Sequence, residues 1–456
     1  MIKILVRHGI AIVAMLCLLL SASLAHAADT PPDQPPLSLN EGEARTLIKQ
    51  GKFDEALAIL RPLAKAHPKH TNTHFLLGIA AIESSRIAET QQEQTALLDE
   101  AITVLRQILI DQPGLVRVRL ELARAFFYKK EDRLARQHFE RVLAGNPPDP
   151  VIANVQRFLA EMRERRNWSM YLGAAVAPRT NIGRTSDAEI IEIFGLPFRR
   201  DTDDLETSGI GLSIWTGGDY QIPINQRLQL QLGADLAREE YPGNQFDQSF
   251  VSVDVGPRWL MNPKTIVSLA ADARRRWLST NPYYLDLGAR TEVQHRLTQR
   301  VSLTGRASWY DREYRIQRAL DGDVMDVSIR ATWLYTPIVQ FDGTLGYGTE
   351  HTKGKTWRND SWLGRLGVSV ALPRGFNVGA SGEYRRTQYE GNWFPFTDGS
   401  SRRDHTRIVR ASVYNRGFTL FGFSPQLVVS REERTTNAQT HEYQDTNGEL
   451  RLIRQF

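Results

Sequence analysis

The residues best suited to chemistry occur in patterns that fall short of a catalytic set. Gly348 to Thr356 reads Gly-x5-Gly-Lys-Thr, one residue longer than a phosphate-cradling loop. Such a loop must also join a strand to a helix, and here strand-like alternation lies on both sides, so no nucleotide site is expected. His67, His70 and His74 have ligand-like spacing but straddle Pro68, which marks a helix–helix turn and not a metal centre. The one cysteine, Cys17, falls in the first 27 residues, leaving no thiol for catalysis or metal binding beyond them. An acyl-transfer site would need Ser or Asp beside His on neighbouring strands, and His295, His351 and His405 have no serine partner that spacing identifies. No enzyme activity, cofactor or metal is therefore expected.

Mixed charge is the remaining candidate. Arg290 with Glu292, Arg306, Asp342, Glu350, Arg365, and Glu383 with Arg385 recur at alternate positions along strand-like segments. Two readings stay open: a lumen that passes or grips a client, or internal salt bridges that fill and stiffen a barrel.

These residues belong to the second of two differently composed regions. All nine Trp, 13 of the 14 Tyr and 27 of the 33 Gly follow Asn167, whereas the preceding segment is rich in Ala, Leu, Glu and Arg. Residues 1–27 read as a secretory signal, with Lys3, Arg7 and His8, an apolar run from Ile10 to Leu20, and Ala25-His26-Ala27 at the cleavage site. Residues 28–38 carry a proline-rich linker, Pro31 to Pro36. Formal charge is +5 without long runs of one sign, which gives no footing for nucleic acid. After the signal no stretch of about 18 apolar residues occurs, so a helical membrane protein is excluded.

Residues 39–166 contain a countable repeat. Ala56, Ala101 and Ala135 each have a large apolar residue four places on (Leu60, Leu105, Phe139) and a proline twelve places on (Pro68, Pro113, Pro147). Apolar pairs at seven and eight places complete one helical face. Phe75, Leu76, Ile79 and Ile82, then Val118, Leu122, Ala125 and Phe126, supply the intervening helices. These units resemble tetratricopeptide repeats, whose period is about 34 residues. The last interval is 34 and the first is 45, the excess mapping to the polar stretch Arg86 to Thr95. Val151 to Arg165 would cap the stack. Such repeats usually form a concave surface for a protein partner, and Phe75, Arg117, Glu121, Arg124 and Tyr128 are the candidate client-binding residues; a rigid spacer is the alternative.

From Trp168 onward the period is two. Leu228 to Leu236, Val267 to Ala273, Val301 to Trp309 and Met325 to Trp333 alternate apolar with polar or small residues. Strand lengths suit a tilted membrane crossing, and apolar faces end in Trp168, Trp215, Tyr220, Trp259, Trp309, Trp333 and Tyr335, as interfacial girdles do. Short connections alternate with longer polar ones such as Pro178 to Glu206, Lys353 to Asp360 and Glu390 to Arg402. Fourteen strands are expected, starting near Trp168, Thr207, Arg227, Phe246, Thr265, Tyr283, Arg300, Asp323, Val339, Ser361, Phe376, Arg403, Thr419 and Glu442. The chain is thus read as a two-domain α + β protein, with N-terminal helical repeats and a 14-stranded antiparallel transmembrane β-barrel over 167–456. Phe456, closing an alternating last strand, resembles the signal read by barrel-insertion machinery.

At the junction, Asn167-Trp168 opens the first strand and Pro178-Arg179-Thr180-Asn181-Ile182-Gly183 follows it. This resembles the Asn-Trp opening and Pro-Asp-Ser-Asn-Ile-Asn-like element of the surface lipoprotein assembly modulator (Slam) family. Arg179-Thr180 stand in place of Asp-Ser and Gly183 in place of Asn. The resemblance implies an outer-membrane translocation factor with its repeats in the periplasm. It would deliver a surface lipoprotein or secreted client (type XI secretion), among outer-membrane lipids and with periplasmic chaperones as further partners. The rival readings are a polysaccharide-export porin with tetratricopeptide repeats and a simple diffusion pore.

Overall fold

The computed structural model describes residues 39–145, 147–165, 167–193, 196–199, 207–393, 397, 399–415, 418 and 423–455. The signal, the proline-rich linker, the strand start at Thr419 and Phe456 lie outside them.

Among the described residues seven helices come first: α1 (Leu39–Lys49), α2 (Phe53–Ala66), α3 (Thr71–Ser85), α4 (Gln91–Asp111), α5 (Val116–Tyr128), α6 (Asp132–Ala144) and α7 (Asp149–Arg165). Ala56, Ala101 and Ala135 are fully buried, as are Leu60, Leu105 and Phe139 one turn on. Small residues at these points let paired helices approach; at Gly78 a Cβ would lie 2.7 Å from the Leu105 side chain. The polar insertion is not all loop. Thr90 accepts from the Glu93 N–H at 3.2 Å and caps α4, so Gln91 to Thr95 become added helical length. On α7, Val155, Leu159 and Met162 join the same core.

Sixteen strands follow. The barrel strands are β1 (Trp168–Arg179), β4 (Gly209–Pro223), β5 (Leu228–Glu240), β6 (Gln248–Asn262) and β7 (Thr265–Leu278). Next come β8 (Asn281–Arg296), β9 (Val301–Tyr314), β10 (Gly322–Leu334), β11 (Val339–Thr352) and β12 (Asn359–Ala371). Last are β13 (Phe376–Asn392), β14 (Ser401–Asn415), β15 (Ser424–Thr436) and β16 (Tyr443–Gln455). Each pairs with its sequence neighbour, and β1 pairs antiparallel with β16, closing a 14-stranded barrel. Closure leaves no strand edge facing lipid, where an unpaired backbone group would cost several kcal/mol. The small hairpin β2 (Ile190–Ile193) and β3 (Leu196–Arg199) lies within the long first connection, which sequence reading left without structure.

The alternation resolves into an outer apolar wall and an inner polar one. Leu232, Leu236, Val253, Val255, Leu345, Leu366 and Val429 are all exposed, which is the surface a bilayer requires and water would not tolerate. The strands therefore form a transmembrane barrel, and the helical repeats precede it in the chain. Trp215 departs from the girdle reading. Its ring lies against Gly173, where a Cβ would come within 2.2 Å, while Ile214 beside it is the exposed residue. A glycine on the neighbouring strand makes room for an indole in the lumen.

Candidate functional site

Three groups of residues were singled out by sequence, and each is built differently. On the helices, Arg124 of α5 donates to Glu83 of α3 at 2.5 Å and to Glu121 at 2.7 Å, and Arg86 donates to Glu83 at 2.7 Å. The Arg86 and Arg124 guanidiniums lie 5.5 and 5.9 Å from the Tyr128 ring centre, within cation–π range. Tyr128 in turn meets Phe158 of α7 edge-on. Arg117 lies over Phe75, and Phe75 itself is buried in the helical core instead of offering its face to a client. Three of the five candidates, Glu121, Arg124 and Tyr128, thus belong to a charged and aromatic strip across α3, α5 and α7 whose ion pairs are made from within.

Burial alone would push the Glu83 carboxyl up, but the Arg124 and Arg86 hydrogen bonds outweigh it and hold it below the usual carboxylate range. A depressed carboxyl contributes stability that is present above its unfolded value and lost as pH falls through its folded value. Glu83→Gln should therefore cost about 1.5–3 kcal/mol at neutral pH and flatten the loss of protection on acidification. Hydrogen exchange of α3 and α5 in the full chain reads this, and exchange equal to wild type at both pH values would contradict it. His70 is used locally: its ring caps α3 through the Thr73 N–H and lies 3.6 Å from the buried Glu41.

Inside the barrel, sequence spacing set Arg290 beside Glu292 on one strand. In the fold both turn to other strands. Arg290 donates to Asp254 at 2.6 Å and lies 3.7 Å from Asp272, while Glu292 accepts from Arg306 at 2.5 Å. Asp254 of β6 and Asp272 of β7 are in register, so without Arg290 two nearly buried carboxylates would face each other. Glu383 lies between Arg410 at 3.3 Å and Arg385 at 3.7 Å. Asp342 packs into the space left by Gly367. Arg365 is on β12, and its buried Nε makes no hydrogen bond.

Sequence reading missed several lumen residues. Arg312 forms a two-point pair with Asp286 at 2.7 and 3.0 Å and lies over Tyr284, and Arg274 joins Asp272 at 2.8 Å and covers Tyr310. The period of two would have found them, since Asp254 sits between the exposed Val253 and Val255. At the end away from the short turns, the buried Arg402 pairs with Asp404 and lies 4.7 and 4.8 Å from the Tyr389 and Trp393 rings.

The junction element joins the first strand to the last. Arg179 donates to Asp445 of β16 at 3.0 and 2.5 Å. Asn181 is fully buried: its N–H donates to Asp445 at 3.2 Å, and its side chain bridges Thr185 and the Gln444 carbonyl. The Thr180 hydroxyl accepts from the Thr446 N–H at 2.8 Å, and the Ile182 N–H donates to the Thr207 carbonyl. Asn167 reaches Tyr220, Trp168 stands exposed opposite Tyr220, and Pro178 faces Ile210 in register. Two of the three residues that depart from the family pattern, Arg179 and Thr180, are thus engaged in the clasp between β1 and β16.

The family model described as surface lipoprotein assembly modifier matches residues 168–456, and a tetratricopeptide repeat model matches residues 42–89. Surface lipoprotein assembly modifier 1 of Neisseria meningitidis serogroup B is 22% identical, over 97% of this chain and 96% of its own length. Surface lipoprotein assembly modifier of Pasteurella multocida is 21% identical, over 76% of this chain and 71% of its own. Among solved structures, a Pseudomonas aeruginosa FadL homologue aligns over 70% of this chain and 97% of its own at TM-score 0.38 and 11% identity. With one family model spanning the barrel from β1 to the last residue, the chain belongs to the surface lipoprotein assembly modifier family.

Proposed function

We propose that this protein delivers a lipoprotein, or a secreted relative of one, across the outer membrane to the cell surface. The observation that carries the reading is the match of the family model to the whole barrel, with relatives of that name aligned over repeats and barrel together. The repeats receive the client in the periplasm, and the barrel provides or assists its passage. No nucleoside triphosphate is available there, so client folding outside supplies the free energy. Nothing in this account requires a catalytic residue or a cofactor.

Removing the gene and assaying surface exposure of candidate lipoproteins tests the reading. Loss of display of one or a few, with others unaffected, is the expected result. Loss of exported polysaccharide with every lipoprotein still displayed would favour the export porin instead. A change confined to small-solute permeability would favour the diffusion pore.

A further inference from the structure

On β13 and β14 the arginines divide by the face they occupy. Those directed into the lumen are all ion-paired: Arg385 and Arg410 with Glu383, Arg402 with Asp404. Arg386, Arg403 and Arg407 have the opposite parity and are exposed. Among the described residues none of these three guanidiniums has a carboxylate within ion-pair distance. They share the outward face because Tyr384 and His405 do: the Tyr384 hydroxyl and His405 Nδ1 are 2.7 Å apart with stacked rings. Arg386 is two residues from Tyr384, and Arg403 and Arg407 are each two residues from His405, so period two keeps all three on that side.

The level is set by what lies around them. These positions flank the 393–400 connection, at the end opposite the short turns, which is the surface end in barrels of this kind. Of the nearby carboxylates two are engaged, and a third faces Arg407 across the strand pair. Asp360 accepts from the Tyr347 hydroxyl at 2.7 Å, Glu390 lies 4.0 Å from Arg358, and Glu433 is in register with Arg407 without forming an ion pair. A groove of about 660 Å³ runs along this face between Arg386, Gln388, Glu390, Asp360 and Ser401, bounded by Tyr347 and Trp362. Below the same two aromatic residues it continues as a second groove of about 470 Å³, lined by Val293, Gly305, Ala307, Ile329 and Leu345. Polar above and apolar below, the pair has the form of one amphiphile lying along the wall.

We propose that this outer wall binds a phosphorylated glycolipid of the outer leaflet, its phosphate on Arg386, Arg403 and Arg407 and an acyl chain in the groove beneath Tyr347 and Trp362. Guanidinium is the cation best matched to phosphate, giving two parallel charge-assisted hydrogen bonds. Unpaired cations at headgroup depth are the feature that recruits anionic lipid. The acylated cysteine of a lipoprotein carries no phosphate and would bring no anion to these guanidiniums, so the resident lipid is the occupant and not the client's anchor.

The test uses the full chain purified in a neutral detergent and three probes: bisphosphorylated lipid A, the same lipid after phosphatase treatment, and a triacylated lipopeptide. Native mass spectrometry reads retained lipid and its apparent affinity. Lipid A should bind at least tenfold more tightly than either other probe, and more weakly as salt rises. The R386Q/R403Q/R407Q variant should lose that preference, while R227Q at the short-turn end keeps it. Heat-dependent gel migration checks that each variant is folded. Equal binding of phosphorylated and dephosphorylated lipid to the wild-type chain would overturn the proposal without any variant. A lipopeptide bound as tightly as lipid A would overturn the choice of occupant, and an unchanged preference in the folded triple variant would overturn the site.

Discussion

Replacing Arg290 with methionine is expected to destabilise the barrel by about 3 kcal/mol. Asp254 and Asp272 are 6% and 4% exposed and lie in register on β6 and β7, and Arg290 is the cation that reaches both. Methionine keeps the unbranched apolar stem and removes the guanidinium with its charge and donors. Arg274 still meets Asp272, so the deficit falls mainly on Asp254. Denaturant unfolding in detergent should show a lowered midpoint with an unchanged slope. Adding Asp254→Asn to Arg290→Met should recover most of the loss, because Asp272 keeps Arg274 and no unpaired charge then remains. A single variant as stable as wild type, or a double variant no better than the single, would remove the claim that charge pairing holds this layer together.

Asp445→Ala is expected to be as costly and to act at one seam. Asp445 takes two hydrogen bonds from Arg179 and one from the Asn181 N–H, and all three groups are largely buried. Its loss leaves the Asn181 N–H without a partner and the Arg179 guanidinium with only its longer contacts to Tyr241 at 3.4 Å and Glu239 at 3.7 Å, a cost of about 3 kcal/mol together. β1 and β16 are the two chain ends of the barrel, so the penalty falls where closure is made. Hydrogen exchange should rise across 168–179 and 443–455 and stay near wild type across β7 and β8. Asp445→Asn can still accept from Asn181 and should be intermediate. A uniform rise around the whole barrel would mean that Asp445 supports folding in general and not the seam.

Much of this architecture was legible because periods of 3.6 and 2 leave marks that tertiary context does not erase. Trp168, Thr265 and Phe376 are strand starts by pattern and by structure, and Ala56, Ala101 and Ala135 are buried where the repeat placed them. The unreadable parts depend on partners distant in sequence. Arg290 meets Asp254 two strands away, which requires the register of β6, β7 and β8 to be known. Trp215 points inward because Gly173 lies across from it, and nothing within β4 records that. Gln91 to Thr95 read only as part of a polar stretch, and the Thr90 cap extends α4 through them. The junction element was visible as a motif, but its work as a clasp appears only when β16 returns to β1.

The central claim is that the chain brings a lipoprotein to the cell surface, and display on intact cells tests it most directly. Protease accessibility of candidate lipoproteins would be compared in cells with the gene, without it, and with it restored. The account predicts that at least one lipoprotein becomes protease-resistant on deletion while its total amount stays the same, and becomes accessible again on restoration. Unchanged accessibility of every candidate lipoprotein in the deleted cells would contradict it.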